Sequence, residues 1–528
     1  MLAYFRNRKL KQLRAQWCSP KTWDREFSSI RILFDLTRPS SDHDVVDDKT
    51  WNDLDMDSVF RKVDSTITSV GQQYLYRKLR VLQDSSSCLQ DDFKVATTLK
   101  EDRELREALQ LNLMMLKQGD AKLVSKVLFE TFPAYTFPKL AILLWSLLSL
   151  FTLFFAAYSG GSYLFLILPI VIANFSISRY FESISDGIAD ILYYLYNLVS
   201  ISERIAKLAL SSKIPVCKDL EDRRSLITKV KKLMRRIAIS QSNESLLVNN
   251  TMYLLNLMFP YDLLVYSLSI KSIVSETDVM KTCYLAIGSI DSSISTASYV
   301  KRNTHLCNPT LTNSKEMELV EAYHPLVEHY IANSFLTQGP SVLVTGSNMA
   351  GKTTFIKTIG VNVIFARSLW ICHATQASIP FMDIYSSIKT EDGILDGKSF
   401  YFSELERLKT FIEMADKGRK CLFLIDEIYR GTNTIERIAG AAAVLQELAQ
   451  ENLVFVTTHD IELASMLGRQ FEQWHFEETG NIDKPFDYKL KPGVCKTRNA
   501  LKLMASIGYP EHVTDRARRF AQHLDVEQ

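Results

Sequence analysis

Residues 342–355 restrict the fold of this chain more than any other stretch, because three local structures are written into them in a fixed order. Val342-Leu343-Val344 is an apolar run suited to a strand buried on both faces, and such strands belong to parallel sheets covered by helices. The loop that follows, Gly346-Ser347-Asn348-Met349-Ala350-Gly351-Lys352-Thr353-Thr354, fits the pattern Gly-x-x-x-x-Gly-Lys-[Ser/Thr]. Its glycines let backbone N–H groups close around phosphate oxygens at the start of the next helix. Lys352 is placed to reach the β and γ phosphates and the Thr353 hydroxyl to hold Mg²⁺. The loop therefore predicts ATP as ligand and Mg²⁺ as its ion.

The other parts of an ATP hydrolase follow. Leu422-Phe423-Leu424-Ile425 is a second apolar strand, and it ends in two acids, Asp426 and Glu427. One suits the Mg²⁺ shell, Asp426, and the other, Glu427, suits polarisation of the attacking water. A third apolar run, 453–458, delivers His459 to the same sheet edge. A histidine ending a strand is more often structural, but in this company it is expected to sense the γ-phosphate or the water.

These residues resemble the MutS-type mismatch-repair ATPases, members of the ABC class. The likeness lies in the loop 345–354 with its Asn348-Met349 pair, in 426–434 with its glycine-threonine loop, and in Tyr323-His324-Pro325-Leu326-Val327-Glu328, which matches the opening of the family's ATPase domain. The resemblance implies that Tyr330 stacks on adenine, an ordinary core tyrosine being the other reading. It further implies that Ser399, in Gly397-Lys398-Ser399-Phe400 upstream of Glu404, reaches the partner's nucleotide across a homodimer. Residues 488–493 and 507–517 are similar to the family's terminal strand and helix-turn-helix dimerisation element. The match runs over roughly 320–522.

Upstream, 56–80 reads as an amphipathic helix pair similar to the family's helical core. Members that find mismatches carry a wedge domain and a connector. With a helical core beginning near residue 50, neither is expected here, so the resemblance implies DNA binding and leaves mismatch specificity open.

A different signal lies between residues 140 and 178, where no residue is charged. Residues 140–158 are apolar enough and long enough to cross a bilayer, which takes about 20 residues. A turn at 159–162 leads into 163–177, a return limb with Pro169 inside it that is short for a span; Asn174 and Ser178 are expected at the interface. Tyr135, Trp145, Tyr158, Tyr163 and Tyr180 lie where interfacial aromatics belong. With Lys126, Lys139 and Arg179 flanking it, a hairpin that returns to its starting side keeps the ATPase part in the cytoplasm. The alternative is a buried hairpin of a soluble bundle, yet the polar face of a soluble helix is missing. No apolar run follows the first basic residues, so no cleavable signal peptide is expected.

Charge does not choose a partner. With 62 basic and 60 acidic residues there is no global nucleic-acid footprint. Local clusters exist at Arg6, Arg8, Lys9, Lys11 and Arg14, and at Arg223, Arg224, Lys229, Lys231, Lys232, Arg235 and Arg236. The first reads as a solvated basic terminus ahead of a contact with phosphates or lipid headgroups; the second suits a solvated helix face, or else DNA phosphate or anionic lipid, between which it does not choose. The eight cysteines lack paired metal spacing and are expected to be reduced thiols, without zinc.

The expected organisation is a basic segment 1–45, an all-α lever region 46–310 with a membrane hairpin at 140–178, and an α/β P-loop ATPase domain with C-terminal helix-turn-helix at 311–528. The expected function is ATP-dependent DNA binding linked to mismatch repair or damage sensing. The alternative is a membrane-anchored mechanical ATPase that acts on a non-DNA partner. The Asp426-Glu427 pair argues against a scaffold that binds ATP without turnover.

Overall fold

The computed structural model describes residues 2–19, 26–41, 43–116, 121–132, 137–159, 163–185, 188–208, 214–240, 246–347, 350–388, 400–429, 433–479, 486–494 and 508–526. The chain forms two compact units. One comprises 1–38, 63–77 and 94–302; the other comprises 39–62, 78–93 and 303–528.

The first unit is helical throughout its described residues. Its longest helix, Thr277–Arg302, has 26 residues and carries small residues at the points of closest approach. A Cβ on Gly288 would lie 2.7 Å from the Cβ of Tyr74, so only glycine admits that neighbour. The fully buried Asp291 accepts hydrogen bonds from the backbone N–H groups of Ile67 and Thr68 and from the Thr68 hydroxyl. Those donors stand at the start of the helix Ser69–Arg80, where backbone N–H groups lack helical acceptors. Leu99, Leu109, Leu195, Leu198, Ile227 and Ile287 fill the core between the helices.

From this unit rise two helices built the opposite way. Helix Lys139–Tyr158 buries Ile142, Ser146, Ser149 and Ala156 and exposes Leu144, Leu147, Phe151 and Phe154. Apart from Ile142, the residues that face protein are therefore small or polar, while large apolar ones face outward. Its partner is helix Ile167–Ser185, preceded by the short 3₁₀ turn Leu164–Leu166. Phe137 and Phe181 meet at one end with ring centroids 5.8 Å apart, and Phe155 and Tyr163 at the other with 5.1 Å. The two limbs thus form a hairpin.

Among the described residues, only Lys139–Tyr158 is by itself long and apolar enough to cross a membrane. The second limb loses its apolar character at Arg179 and Glu182, which pair at 2.8 Å. Asn174 is fully buried, because its amide is occupied by other helices. The expected turn at 159–162 lies mostly outside the described residues, as does Tyr135.

The cluster at 223–236 is less available than its sequence implies. Arg224 pairs with Glu221, Lys229 with Glu276 and Lys231 with Glu203. Likewise Arg14 of the helix Leu2–Gln16 donates two 2.8 Å hydrogen bonds to Glu107.

The second unit holds two sheets. Strands β1 (Thr310–Thr312), β2 (Met317–Ala322), β3 (Asn333–Thr337) and β5 (Gln376–Pro380) form one, in the order β1-β5-β2-β3. The other contains β4 (Ser341–Thr345), β6 (Asp383–Ser387), β7 (Cys421–Asp426), β8 (Leu453–Thr458), β9 (Phe471–Glu478) and β10 (Phe486–Pro492), in the order β10-β9-β4-β8-β7-β6. All neighbours in it are parallel except β10 and β9. β4, β7 and β8 are buried at every position, as a two-sided parallel sheet requires.

The amphipathic helices expected at 56–80 are present as Met56–Val63 and Ser69–Arg80. However, 39–62 and 78–93 cluster with the sheets, so the chain enters this unit well before residue 303. Polar anchors explain it. The buried Asp53 accepts from the Ser386 hydroxyl and the Ile388 N–H, Asp47 pairs with Arg407, and Asp44 with Arg367. Gly360 lets Leu54 approach, since a Cβ there would stand 2.7 Å from Leu54 Cδ2.

Candidate active site

Strand register gathers the site. Thr345 of β4 lies opposite Thr458 of β8, and Asp426 of β7 lies opposite Thr457, so three parallel strands end together. Ligands of open α/β sheets bind at such carboxyl ends.

The loop after β4 needs its two glycines. Gly346 has φ 141° and Gly351 φ 110°, and a Cβ on Gly346 would stand 2.4 Å from the Phe476 carbonyl oxygen. The helix Lys352–Leu369 begins at once, with its first N–H groups turned toward the loop. Lys352 Nζ is buried and donates to the carbonyls of Gly346 at 2.7 Å and Ser347 at 2.9 Å. The Ser347 hydroxyl is buried and has no hydrogen-bond partner among the described residues. Asn348 and Met349 lie outside the described residues.

Acids and histidine interlock around that loop. The Thr353 hydroxyl donates to Asp426 Oδ2 at 2.8 Å, so the two groups expected to share Mg²⁺ already face each other. Thr457 donates to the other oxygen of Asp426 and receives the Glu427 N–H. Glu427 itself sits at φ 57°, a left-handed conformation that disfavours side chains. The strained turn aims its carboxylate at His459, whose Nε2 lies 2.7 Å from Glu427 Oε1 and 3.4 Å from Lys352 Nζ. Tyr429, at φ 61°, donates its N–H to the buried Glu404 at 2.6 Å. Thr457 and Glu404 thus hold the turn at 426–429 in place. Sequence reasoning passed over Thr457, although it stands two residues before His459.

Beside these groups opens a cavity of about 490 Å³, lined among others by Tyr323, Tyr330, Ser347, Lys352, Thr353, Thr354 and Glu427. The ring of Tyr330 stacks on Tyr323 with centroids 4.0 Å apart. The predicted adenine contact is therefore one member of a two-ring wall that sequence reasoning did not pair. His324 also lines the cavity, and burial pulls its imidazole down to about 4; burial pulls His373 behind it to about 3. Ala350, within the loop, is buried. The glycine cradle, the orphan hydroxyl of Ser347 and the Thr353–Asp426 pair together fit a nucleoside triphosphate with Mg²⁺.

Ser399 and its neighbours Gly397 and Lys398 lie outside the described residues. So do 430–432 and 495–507, the latter covering the first part of the expected helix-turn-helix; its last helix is Glu511–Val526.

Residues 342–525 match the sequence profile of the family described as MutS domain V. The chain is 27% identical over 272 residues to a DNA mismatch repair protein MutS of Methanococcoides burtonii, covering 48% of this chain and 30% of that protein. It is 30% identical over 209 residues to the MutS of Thermus aquaticus, covering 38% and 25% respectively. It is also 29% identical over 262 residues to an Endonuclease MutS2 of Bacillus mycoides, covering 47% and 32%. The chain spans about a third or less of the length of these relatives.

Proposed function

Because the chain belongs to the MutS family through residues 342–525, we propose that it binds and hydrolyses ATP and uses the cycle to grip and release DNA, as part of mismatch repair or damage sensing. The observation that carries this reading is the interlocked set Lys352, Thr353, Asp426, Glu427 and His459 at the ends of β4, β7 and β8. Thr353 and Asp426 would hold Mg²⁺, which would supply positive charge to offset that of the phosphates. Lys352 exchanges the carbonyls of Gly346 and Ser347 for phosphate oxygens. Glu427 orients the attacking water and takes its proton, while His459 keeps that carboxylate aimed. Tyr330, backed by Tyr323, covers adenine.

Two copies of the second unit close on the nucleotide, with Ser399 of each completing the other's site. The closed pair binds triphosphate better than diphosphate, so hydrolysis resets it. Equilibrium binding to heteroduplex, homoduplex and junction DNA across a salt series tests the DNA part. Affinity that responds to ATP and falls steeply with salt supports it, since phosphate contacts release counterions. Salt-insensitive or absent binding contradicts it.

One observation favours a second reading, in which the same engine is anchored in a membrane and moves a non-DNA partner. It is the outward-facing apolar surface of helix Lys139–Tyr158. In that reading the ATPase part lies in the cytoplasm. Carbonate and detergent extraction of cell membranes tests it: resistance to carbonate with release by detergent supports anchoring, and recovery in the soluble fraction contradicts it.

A further inference from the structure

We infer that the broken helix pair 250–274 is a second lipid-facing element, seated in the outer zone of the bilayer against the hairpin and held there by Asn174. This rests on the membrane reading of the hairpin and adds to it a segment too short to announce itself. Sequence 245–261 contains no charge, but Pro260 interrupts it. Helices Leu246–Met258 and Tyr261–Val274 meet there at a 90° bend. A proline lacks an N–H and stops a helix, which leaves the last carbonyls of the first helix without helical donors. In hydrocarbon such groups must be satisfied by protein.

Asn174 does this. It is fully buried, and its amide Nδ2 donates to the carbonyls of Leu257 at 3.2 Å and Met258 at 2.9 Å. Its Oδ1 accepts from Trp145 Nε1 at 2.8 Å, so one side chain ties both hairpin limbs to the break. Asp262, the one charged residue between 245 and 270, is likewise turned inward. Its Oδ2 accepts from Asn256 Nδ2 at 2.6 Å, and its N–H donates to Asn256 Oδ1 at 3.1 Å.

Around the break the exposed side chains are large and apolar, Tyr253, Leu254, Met258 and Leu268, with Leu254 exposed to 59%, whereas the exposed polar residues Asn250, Thr251, Lys271 and Ser272 lie toward the two far ends of the pair. Helix Tyr261–Val274 buries Leu263, Tyr266, Ile270 and Ile273 in the core, and the large apolar groups left exposed around the break continue the outward-facing apolar surface of the hairpin beside it.

Depth follows from the helical rise. Trp145 stands six residues above Lys139, and Asn174 seven residues before the Phe181 ring at the hairpin's foot. Both positions are about 10 Å along their helices from that foot. Interfacial helices sink their apolar faces about 5–10 Å, so the break falls in the zone such elements occupy.

The test uses the full chain in vesicles of phosphatidylcholine and phosphatidylglycerol, photolysed with an apolar carbene-generating probe and mapped by peptide mass spectrometry. Labelling of both 139–158 and 250–268 at about tenfold or more over 421–426 is expected, because the probe concentrates in hydrocarbon. Asn174→Leu, which cannot donate, is expected to cut labelling of 250–258 about threefold while 139–158 stays labelled. Asn174→Gln, which keeps the amide, is expected to restore part of it. Labelling of 139–158 alone overturns this inference and leaves the hairpin reading standing. Labelling of neither overturns both. Unchanged labelling of 250–258 in Asn174→Leu removes Asn174 from its proposed role.

Discussion

The central sheet and the helical hairpin use the same apolar residue types in opposite directions. In β4, β7 and β8, Leu343, Leu424 and Phe455 point into protein and are fully buried, while Asp426 and His459 stand at or just beyond the strand ends. In helix Lys139–Tyr158, Leu147, Phe151 and Phe154 point away from protein, and Ser146 and Ser149 point in. Hydrophobicity alone does not distinguish the two; the medium each region is built to meet does. An apolar residue is stable wherever water is excluded, whether by protein or by lipid. On the proposed readings, the sheet is organised around a polar ligand at its edge, and the membrane reading makes an apolar solvent the counterpart of the hairpin.

Substitutions can break that contrast or sharpen it. Catalysis gives the largest effect: Glu427→Gln is expected to lower ATP turnover by about 10²- to 10⁴-fold while leaving nucleotide binding intact, as loss of a general base does. Steady-state phosphate release beside equilibrium binding of labelled ATP checks it. Next is packing in the sheet, where Leu424→Ala removes a fully buried side chain and is expected to cost about 2–5 kcal/mol in denaturant unfolding.

The hairpin gives the sharper comparison. If water bathed its surface, Leu147→Arg would change stability by less than about 0.5 kcal/mol, as surface substitutions do. In a bilayer the same change is expected to oppose insertion by roughly 2.5–3.5 kcal/mol, read as the fraction inserted in a glycosylation reporter.

Acid acts selectively on the second unit. His324 and His373 have folded values pulled by burial to about 4 and about 3. The unfolded chain therefore takes up protons first as pH falls. Their stabilisation is complete above about 6.5 and is lost as pH drops through about 4, a change on the order of 2 kcal/mol or more that thermal melts between pH 7 and 4 will show. The smallest effect belongs to the exposed Arg179–Glu182 pair, where Arg179→Ala is expected to cost under about 0.5 kcal/mol.

How much was legible in sequence followed from how local each feature is. The phosphate loop, the strand ending in Asp426 and Glu427, and the strand ending in His459 are contiguous runs, and the structure brings them to one edge. Features that depend on distant partners were not legible. Leu54 against Gly360 and Asp53 beneath Ser386 join residues about three hundred positions apart, and nothing in either neighbourhood announces the other. For the same reason a helical segment expected to belong with the levers clusters with the sheets. Asn174 shows the limit most plainly. As a polar residue in an apolar run it reads as interfacial, whereas its role is set by carbonyls more than eighty residues later. The paired cations of 223–236 repeat the point, since the acids that engage Lys229 and Lys231 are remote in sequence.

The most direct test of the account is a single-turnover measurement on the purified full chain with Mg²⁺ and ATP, comparing the natural protein with Lys352→Ala. The account predicts that the natural chain binds ATP and releases phosphate, and that the variant loses both. Equal nucleotide binding and phosphate release by the two proteins would contradict it.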